Sequence, residues 1–236
     1  MDEVWSQLKC DPNVMDHRVS SFYSHPVWLL NGLFIEQHAE SLNNRQVFSD
    51  WVVKMSPSRI ADYGGGFGSL ARRLGEALPE ATIEIVEPHP HPAAIALAEK
   101  TKNVSYIAEL SGKYDILIAT DVFEHVPDPL GLAMQSAEFL KPDGRYLIAN
   151  CFWPVMKCHL PQTFHFRYSW NHVLLTLGLV PNCAVCYGQV YIRSGRLELN
   201  RARVIEERSR QWFPWLKQLP ESVRRRVLRL FWRAMR

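Results

Sequence analysis

Long apolar runs are absent from this chain of 236 residues. No stretch approaches the roughly 18 apolar residues that a membrane-spanning helix needs. The opening "MDEVWSQLKCD" has early acid where a secretory signal would have an apolar core, so a soluble, cytoplasmic protein is expected. Cysteine is scarce as well. Cys10, Cys151, Cys158, Cys183 and Cys186 are an odd number in a chain large enough to fold without covalent staples, which argues against a disulfide framework and for reduced thiols. Internal repeats and low-complexity tracts are also missing. With 47% hydrophobic and 22% charged residues, the chain is not disordered and can bury one sizeable core.

Acid is nearly missing from residues 201–236, which hold eleven Arg or Lys against three Glu. That tail carries +8 in a chain whose net charge is +3, leaving −5 for everything before it. Val223, Val227, Leu230, Phe231 and Ala234 recur there at helical spacing. Arg224, Arg225, Arg226, Arg229, Arg233 and Arg236 fill the other faces, and Trp212 and Trp215 stand upstream. A basic amphipathic helix with tryptophan suits an anionic membrane surface, a partner protein or plain solvent. Peripheral attachment to the inner membrane surface through residues 212–236 is the expectation, and nucleic acid is the less favoured partner.

What is present is an alternation of short β-branched runs and helical patterns. Residues 25–53 have apolar Leu30, Leu33, Phe34, Val47 and Trp51 with charge between them, which predicts one or two amphipathic helices broken near Asn43 and Asn44. Beyond "MSPS", strands are predicted at 59–63, 82–87, 104–108, 114–120 and 145–152, with helices at 68–78, 92–100 and 129–140 between them. A further helix at 168–179 and two β-like runs, "CAVCYG" and "QVYIRS", follow. Such a pattern argues for an α/β fold whose parallel sheet is covered on both faces.

"RIADYGGGFGSL", residues 59–70, sets four glycines in five positions between a strand and a helix. A phosphate-binding P-loop needs Lys and Ser or Thr after its last glycine, and Ser69 and Leu70 stand there instead. The dinucleotide pattern G-x-G-x-x-G, started at Gly64, finds Ser69 in place of its third glycine, although Glu87 supplies an acid at a suitable distance. The pattern D-x-G-x-G-x-G fits from Asp62 through Gly64, Gly66 and Gly68.

At these residues the chain resembles the class I S-adenosylmethionine-dependent methyltransferases. "DYGGGFG" is similar to their first motif, "IVEP" to their acid-ended second strand, "YDILIATDVFEHVPDP" to their fourth strand and its loop, and "LKPDGRYLIA" to their turn into the fifth. "HFRYSWNHVLLTLGLV" resembles a later helix of members that act on small molecules and glycans. The resemblance implies a Rossmann-like, mostly parallel seven-stranded sheet with helices on both faces. It divides the chain into an N-terminal helical segment or lid (1–58), a cofactor-binding domain (59–198) and the basic tail (199–236).

It also implies roles. The glycines let the backbone approach the methionine half of the cofactor, and Asp62 lies near that half's ammonium, or else only caps the strand end. Glu87 accepts the ribose hydroxyls, Pro88 lies against adenine, Glu109 approaches the adenine amine, and Asp121 lines the cofactor from the fourth strand. Methyl transfer asks mainly for alignment, and for removal of a proton where the acceptor is a hydroxyl. His125 and His165 are the candidate bases because histidine titrates near working pH. Arg167 and Tyr168, with Tyr23 and His25 of the N-terminal segment, are the candidate acceptor contacts.

Metal is not expected. Prolines around His91 in "HPHP" bar helical spacing, and residues three apart on a strand, Cys183 and Cys186, point to opposite faces, so both read as core thiols. The functional expectation is O-methylation of a sugar or glycan hydroxyl, as in a cell-surface polysaccharide. The alternatives are a small metabolite, lipid or RNA as acceptor, a binding module that keeps the fold without turnover and, more distantly, an NAD-dependent oxidoreductase.

Overall fold

The computed structural model describes residues 1–233, with side chains described through Leu230. The side chains of Phe231 and Arg233, and Ala234 and Arg236 altogether, lie outside the described residues.

Four helices come first: α1 (Asp2–Gln7), α2 (His17–Tyr23), α3 (Val27–Ile35) and α4 (Ala39–Lys54). Then β1 (Arg59–Tyr63), α5 (Ser69–Ala77), β2 (Thr82–Val86), α6 (Pro92–Ala98), β3 (Val104–Ile107) and β4 (Tyr114–Thr120) alternate. A 3-10 turn (Phe123–His125) leads to α7 (Pro129–Ala137) and β5 (Leu140–Ala149). A longer 3-10 segment (Pro161–Tyr168), α8 (Trp170–Leu177), β6 (Leu179–Val185), β7 (Gly188–Arg193), α9 (Leu199–Leu216) and α10 (Glu221–Arg233) complete the chain.

The seven strands form one sheet in the order β3-β2-β1-β4-β5-β7-β6. β1 to β5 run parallel, and β7 is antiparallel to both β5 and β6. From β1 the chain winds outward through β2 and β3, then returns to β4 on β1's other side. The carboxyl ends of β1 and β4 therefore meet, with Asp62 beside Ile118 and Tyr63 beside Ala119. Open α/β sheets bind ligands at such a reversal.

Strand periodicity sorts the core into two layers. Ile60, Ile116 and Ile118 face Leu70 and Leu74 of α5 and Phe48 and Val52 of α4. Ala61, Leu117 and Ala119 face Leu130 of α7, Val173 and Leu177 of α8, and Ala202 and Ile205 of α9. Each fully buried Ile or Leu contributes about 1.5–3 kcal/mol relative to exposure. Asp128 starts α7 by accepting from the Gly131 N–H (2.9 Å), and Gly178, left-handed at φ 110°, ends α8.

Three sequence expectations are corrected here. Asn43 and Asn44 do not break a helix and lie inside α4. Cys186 is not a core thiol: it is exposed in the β6–β7 turn, where its Sγ lies 3.1 Å from Asn44 Oδ1. The first part of the basic tail is not a free surface helix, because α9 buries Ala202, Ile205, Glu206, Ser209 and Leu216. His91 accepts from the Ala93 N–H (3.1 Å), so "HPHP" is spent on capping α6.

Candidate functional site

The glycine stretch forms a tight turn from β1 into α5. Gly64 N–H donates to the Val86 carbonyl (2.7 Å), and Gly68 N–H donates to that of Gly65 (2.8 Å). Gly66 sits at φ +52°, and a Cβ there would meet nothing within 4 Å, so its backbone faces open space. At Gly65 the reason for glycine is contact: a Cβ would lie 2.7 Å from Asp62 Oδ2. Gly64 and Gly68 are left-handed as well, at φ +68° and +73°.

Asp62, at the end of β1, is 1% exposed, and its Oδ1 has no hydrogen-bond partner. Burial raises its carboxyl to about 7, opposed by the charge of Arg45. A buried carboxylate with an open oxygen calls for a donor or a cation. Arg45 comes from α4 and donates to the Ser41 carbonyl (3.1 Å), while its buried Nε has no partner. Burial lowers the Arg45 pKa, and the charges of Tyr187, Asp62 and Asp121 oppose that shift. Sequence reading missed Arg45. The available signal was its helical register with the buried Phe48, Ser49 and Val52.

Glu87 follows β2 and is oriented by two backbone donors, Gly66 N–H to Oε2 (3.1 Å) and His89 N–H to Oε1 (3.2 Å). Burial raises its pKa, and these two hydrogen bonds oppose the rise. The Tyr106 hydroxyl donates to the Gly66 carbonyl (2.8 Å), bracing the turn from β3. Glu87, Pro88, Tyr106, Ile107 and Glu109 line a cavity of about 640 Å³. Three of the predicted cofactor residues therefore share one space.

The N-terminal helices close over the turn. Glu36, at the end of α3, accepts from the Ser69 hydroxyl (2.8 Å) and pairs with Arg72, which also donates to the Phe67 carbonyl (2.6 Å). Ser69 stands where the dinucleotide pattern has glycine because its hydroxyl is used in this contact. Tyr23 stacks on Trp28 (5.2 Å), and both set their rings edge-on to His125. His25 accepts from the Val27 N–H (3.1 Å) at the start of α3.

Asp121, after β4, takes a left-handed conformation at φ +54°. Its N–H donates to the Ala149 carbonyl (2.8 Å), and its Oδ2 accepts from the Tyr187 hydroxyl (2.8 Å).

Near it the candidate base His125 meets Glu124 and His159, a polar cluster that the sequence disclosed only in part. Glu124 is fully buried, accepts from the Cys151 N–H (2.7 Å) through Oε1, and leaves Oε2 without a partner. Burial pushes its carboxyl up to about 8, and the charge of Asp121 adds to the rise. His125 and His159 meet edge to face at 4.8 Å. The Nδ1 of each faces a carbonyl, Cys158 at 3.1 Å and Trp153 at 2.6 Å, so each Nδ1 donates and each Nε2 keeps a lone pair. Burial, then the neighbouring His159, lowers the His125 imidazole to about 4. One ligand atom from each of Glu124, His125 and His159 lies within 4.8 Å of the others. Such a set can hold a divalent cation or accept a proton.

His165 is corrected as a candidate base. Its ring is 2% exposed, its Nδ1 lies 3.0 Å from the Ser209 hydroxyl of α9, and it lines neither cavity described here. Burial holds its imidazole at about 3, so it stays neutral. Arg167 lines a second cavity, of about 330 Å³, together with Asn150, Trp153, Asn171, Tyr187 and Gln189. Tyr168 lies outside that lining and packs on Phe213 of α9 (5.9 Å).

Comparison with known proteins agrees with this architecture. Residues 36–170, more than half of the chain, match the model of a methyltransferase domain. The ubiquinone biosynthesis O-methyltransferase of Bordetella avium is 28% identical over 108 residues, covering 40% of this chain and 45% of that one. The enzyme of the same name from Aromatoleum aromaticum is 28% identical over 113 residues, covering 43% and 48%. The chain thus spans about half the length of these relatives. An O-methyltransferase family protein from Burkholderia thailandensis superposes with a TM-score of 0.58 at 14% identity, over 82% of this chain and 69% of that one, a likeness of fold. The chain belongs to the methyltransferase domain family, with its Rossmann-like, mostly parallel seven-stranded sheet.

The group this family implies is S-adenosylmethionine, and the residues present fit it. Asp62 offers an open, buried oxygen to an ammonium and Arg45 an open Nε to a carboxylate. Glu87 has a fixed carboxylate at the mouth of a cavity large enough for a nucleoside.

Proposed function

We propose that this protein is a methyltransferase acting on a hydroxyl oxygen, with a sugar or glycan of a cell-surface polysaccharide as acceptor. S-adenosylmethionine, when bound, supplies a methyl group on a positively charged sulfur. The observation that carries the reading is the buried Asp62, which has one oxygen without a partner, beside a glycine turn whose Gly66 N–H orients Glu87.

Asp62 and Arg45 would hold the amino-acid end of the cofactor, Glu87 its ribose, and Pro88 and Glu109 the base. Asp121 would line the cofactor at the sheet reversal. The N-terminal helices are latched to the start of α5 by Glu36 on Ser69 and Arg72. His125, its Nδ1 facing the Cys158 carbonyl, is the base assigned to the acceptor hydroxyl, although like His165 it lines neither cavity. The glycan preference rests on the resemblance of residues 165–180 to members that act on small molecules and glycans. A small-molecule acceptor is the second reading, favoured by the ubiquinone-biosynthesis relatives.

No helix among the described residues is long and apolar enough to cross a membrane. Peripheral attachment through α9 and α10 is part of the proposal, supported by exposed Trp212 and Trp215 beside a basic helix. The test is calorimetry with S-adenosylmethionine and S-adenosylhomocysteine, followed by mass spectrometry of candidate acceptors incubated with labelled cofactor. Binding of both compounds and an acceptor-dependent gain of one methyl are expected. A folded protein indifferent to both compounds would overturn the reading.

A further inference from the structure

We propose that the second cavity takes an anionic group, a phosphate or pyrophosphate carried by the acceptor, on Arg167. The proposal rests on the methyltransferase reading only in treating this cavity as the acceptor's.

Arg167 is a built feature, not a loose surface cation. Its guanidinium lies 4.0 Å from the ring centre of Trp153, 5.1 Å from Phe213, 5.3 Å from Phe164 and 6.0 Å from Tyr168. Its Nε donates to the Phe164 carbonyl (2.9 Å), which fixes the plane of the fork. No carboxylate among the described residues pairs with it. Arg224 of α10 stands over Tyr168 at 4.9 Å, and Lys217 faces the Phe213 ring at 6.0 Å.

The acids of the tail are committed elsewhere, and Asp121 near the cavity accepts from the Tyr187 hydroxyl. Residues 201–236 contain only Glu206, Glu207 and Glu221 as acidic side chains. Glu206 pairs with Arg203 and Arg210, Glu207 with Arg210, and Glu221 with Arg225. Burial disfavours the protonated Arg167, Tyr168 and Cys151 oppose that, and the charge of Arg224 adds to it. The polar neighbours are already engaged: Asn171 Oδ1 accepts from the Tyr191 hydroxyl, and Gln189 donates to the Cys183 and Val190 carbonyls. A sugar that carries no charge would leave Arg167 uncompensated, whereas a phosphorylated one would not. A phosphate brings close to two negative charges and several acceptor oxygens, which suit the fixed fork of Arg167.

The experiment titrates the full chain, at matched ionic strength, with inorganic pyrophosphate, with a nucleoside-diphosphate sugar, and with vesicles containing phosphatidic acid against phosphatidylcholine alone. Wild-type protein binds at least one of the three anionic probes. Arg167→Gln weakens that binding roughly tenfold or more, the worth of one charge-assisted hydrogen bond, and Arg224→Gln weakens it less. Arg167→Lys, which keeps the charge but not the fork, falls between and controls for folding. S-adenosylhomocysteine affinity stays unchanged in all three variants. Binding to the soluble probes points to a free phosphate acceptor, and binding to phosphatidic acid vesicles alone to a lipid-borne one; both uphold the site. Indifference of the wild type to every probe, or Arg167→Gln binding like the wild type, overturns it. Methyl transfer that fails while pyrophosphate still binds would sink the functional reading and leave this site standing.

Discussion

The hydroxyl of Tyr187 donates to Oδ2 of Asp121 at 2.8 Å, tying the β6–β7 turn to the end of β4 where the sheet reverses. Tyr187→Phe removes the donor and keeps the ring that packs edge-on to Phe48. The expected cost is about 1 kcal/mol by denaturant unfolding, with weaker S-adenosylhomocysteine binding by calorimetry because Asp121 loses its fixed position. Unchanged affinity would remove Asp121 from the cofactor site.

Asp62 makes binding depend on pH. Its carboxyl is raised to about 7 in the folded chain, against ~3.9 unfolded. The folded state therefore holds a proton that the unfolded state has lost between pH ~4 and ~7, so this group's contribution to stability falls as pH rises through that window. A ligand ammonium prefers the ionised carboxylate, so cofactor affinity should strengthen between pH ~5.5 and ~7.5, below the usual range of an amino group. Asp62→Asn should flatten both slopes and weaken binding by about 1.5–3 kcal/mol. Calorimetry in buffers of different ionisation enthalpy would also detect the released proton, and its absence would count against the ammonium contact.

Gly65 and Gly66 separate contact from conformation. Gly66→Ala meets no atom and costs only its left-handed backbone, about 1–2 kcal/mol of stability. Gly65→Ala presses on the Asp62 carboxylate, so its larger effect should fall on cofactor affinity. Equal effects of the two substitutions, read by melting and by calorimetry, would contradict this division.

Membrane attachment is best tested without cutting the chain, because α9 supplies Ala202 and Ile205 to the core. Trp212 and Trp215 are 42% and 46% exposed. Their joint replacement by serine should leave the melting temperature nearly unchanged and abolish co-sedimentation with anionic vesicles at low salt. Wild-type protein that stays in the supernatant would end the idea.

The sheet was legible because its strands are short apolar runs bounded by turn residues, and Asp62 and Glu87 stood out as candidates because they stand at the ends of the first two strands in motifs that resemble the family's. Tertiary contact hid the rest. His165 reads as a loop histidine until α9 is seen to cover it, and the charge of that tail concealed its buried stripe. His159 lies more than thirty residues beyond the adjacent Glu124 and His125 and meets them only after β5 is in place. Arg45 is an ordinary helical arginine in sequence and is singled out by the carboxylates it faces.

The backbone of Asp121 carries a consequence of its own. At φ +54° the position tolerates asparagine or glycine, while valine or isoleucine would crowd its own carbonyl. Charge at this place can be lost without unrolling the strand's end, but bulk at the β-carbon cannot be gained there. Natural variation at this position should therefore follow shape before it follows electrostatics.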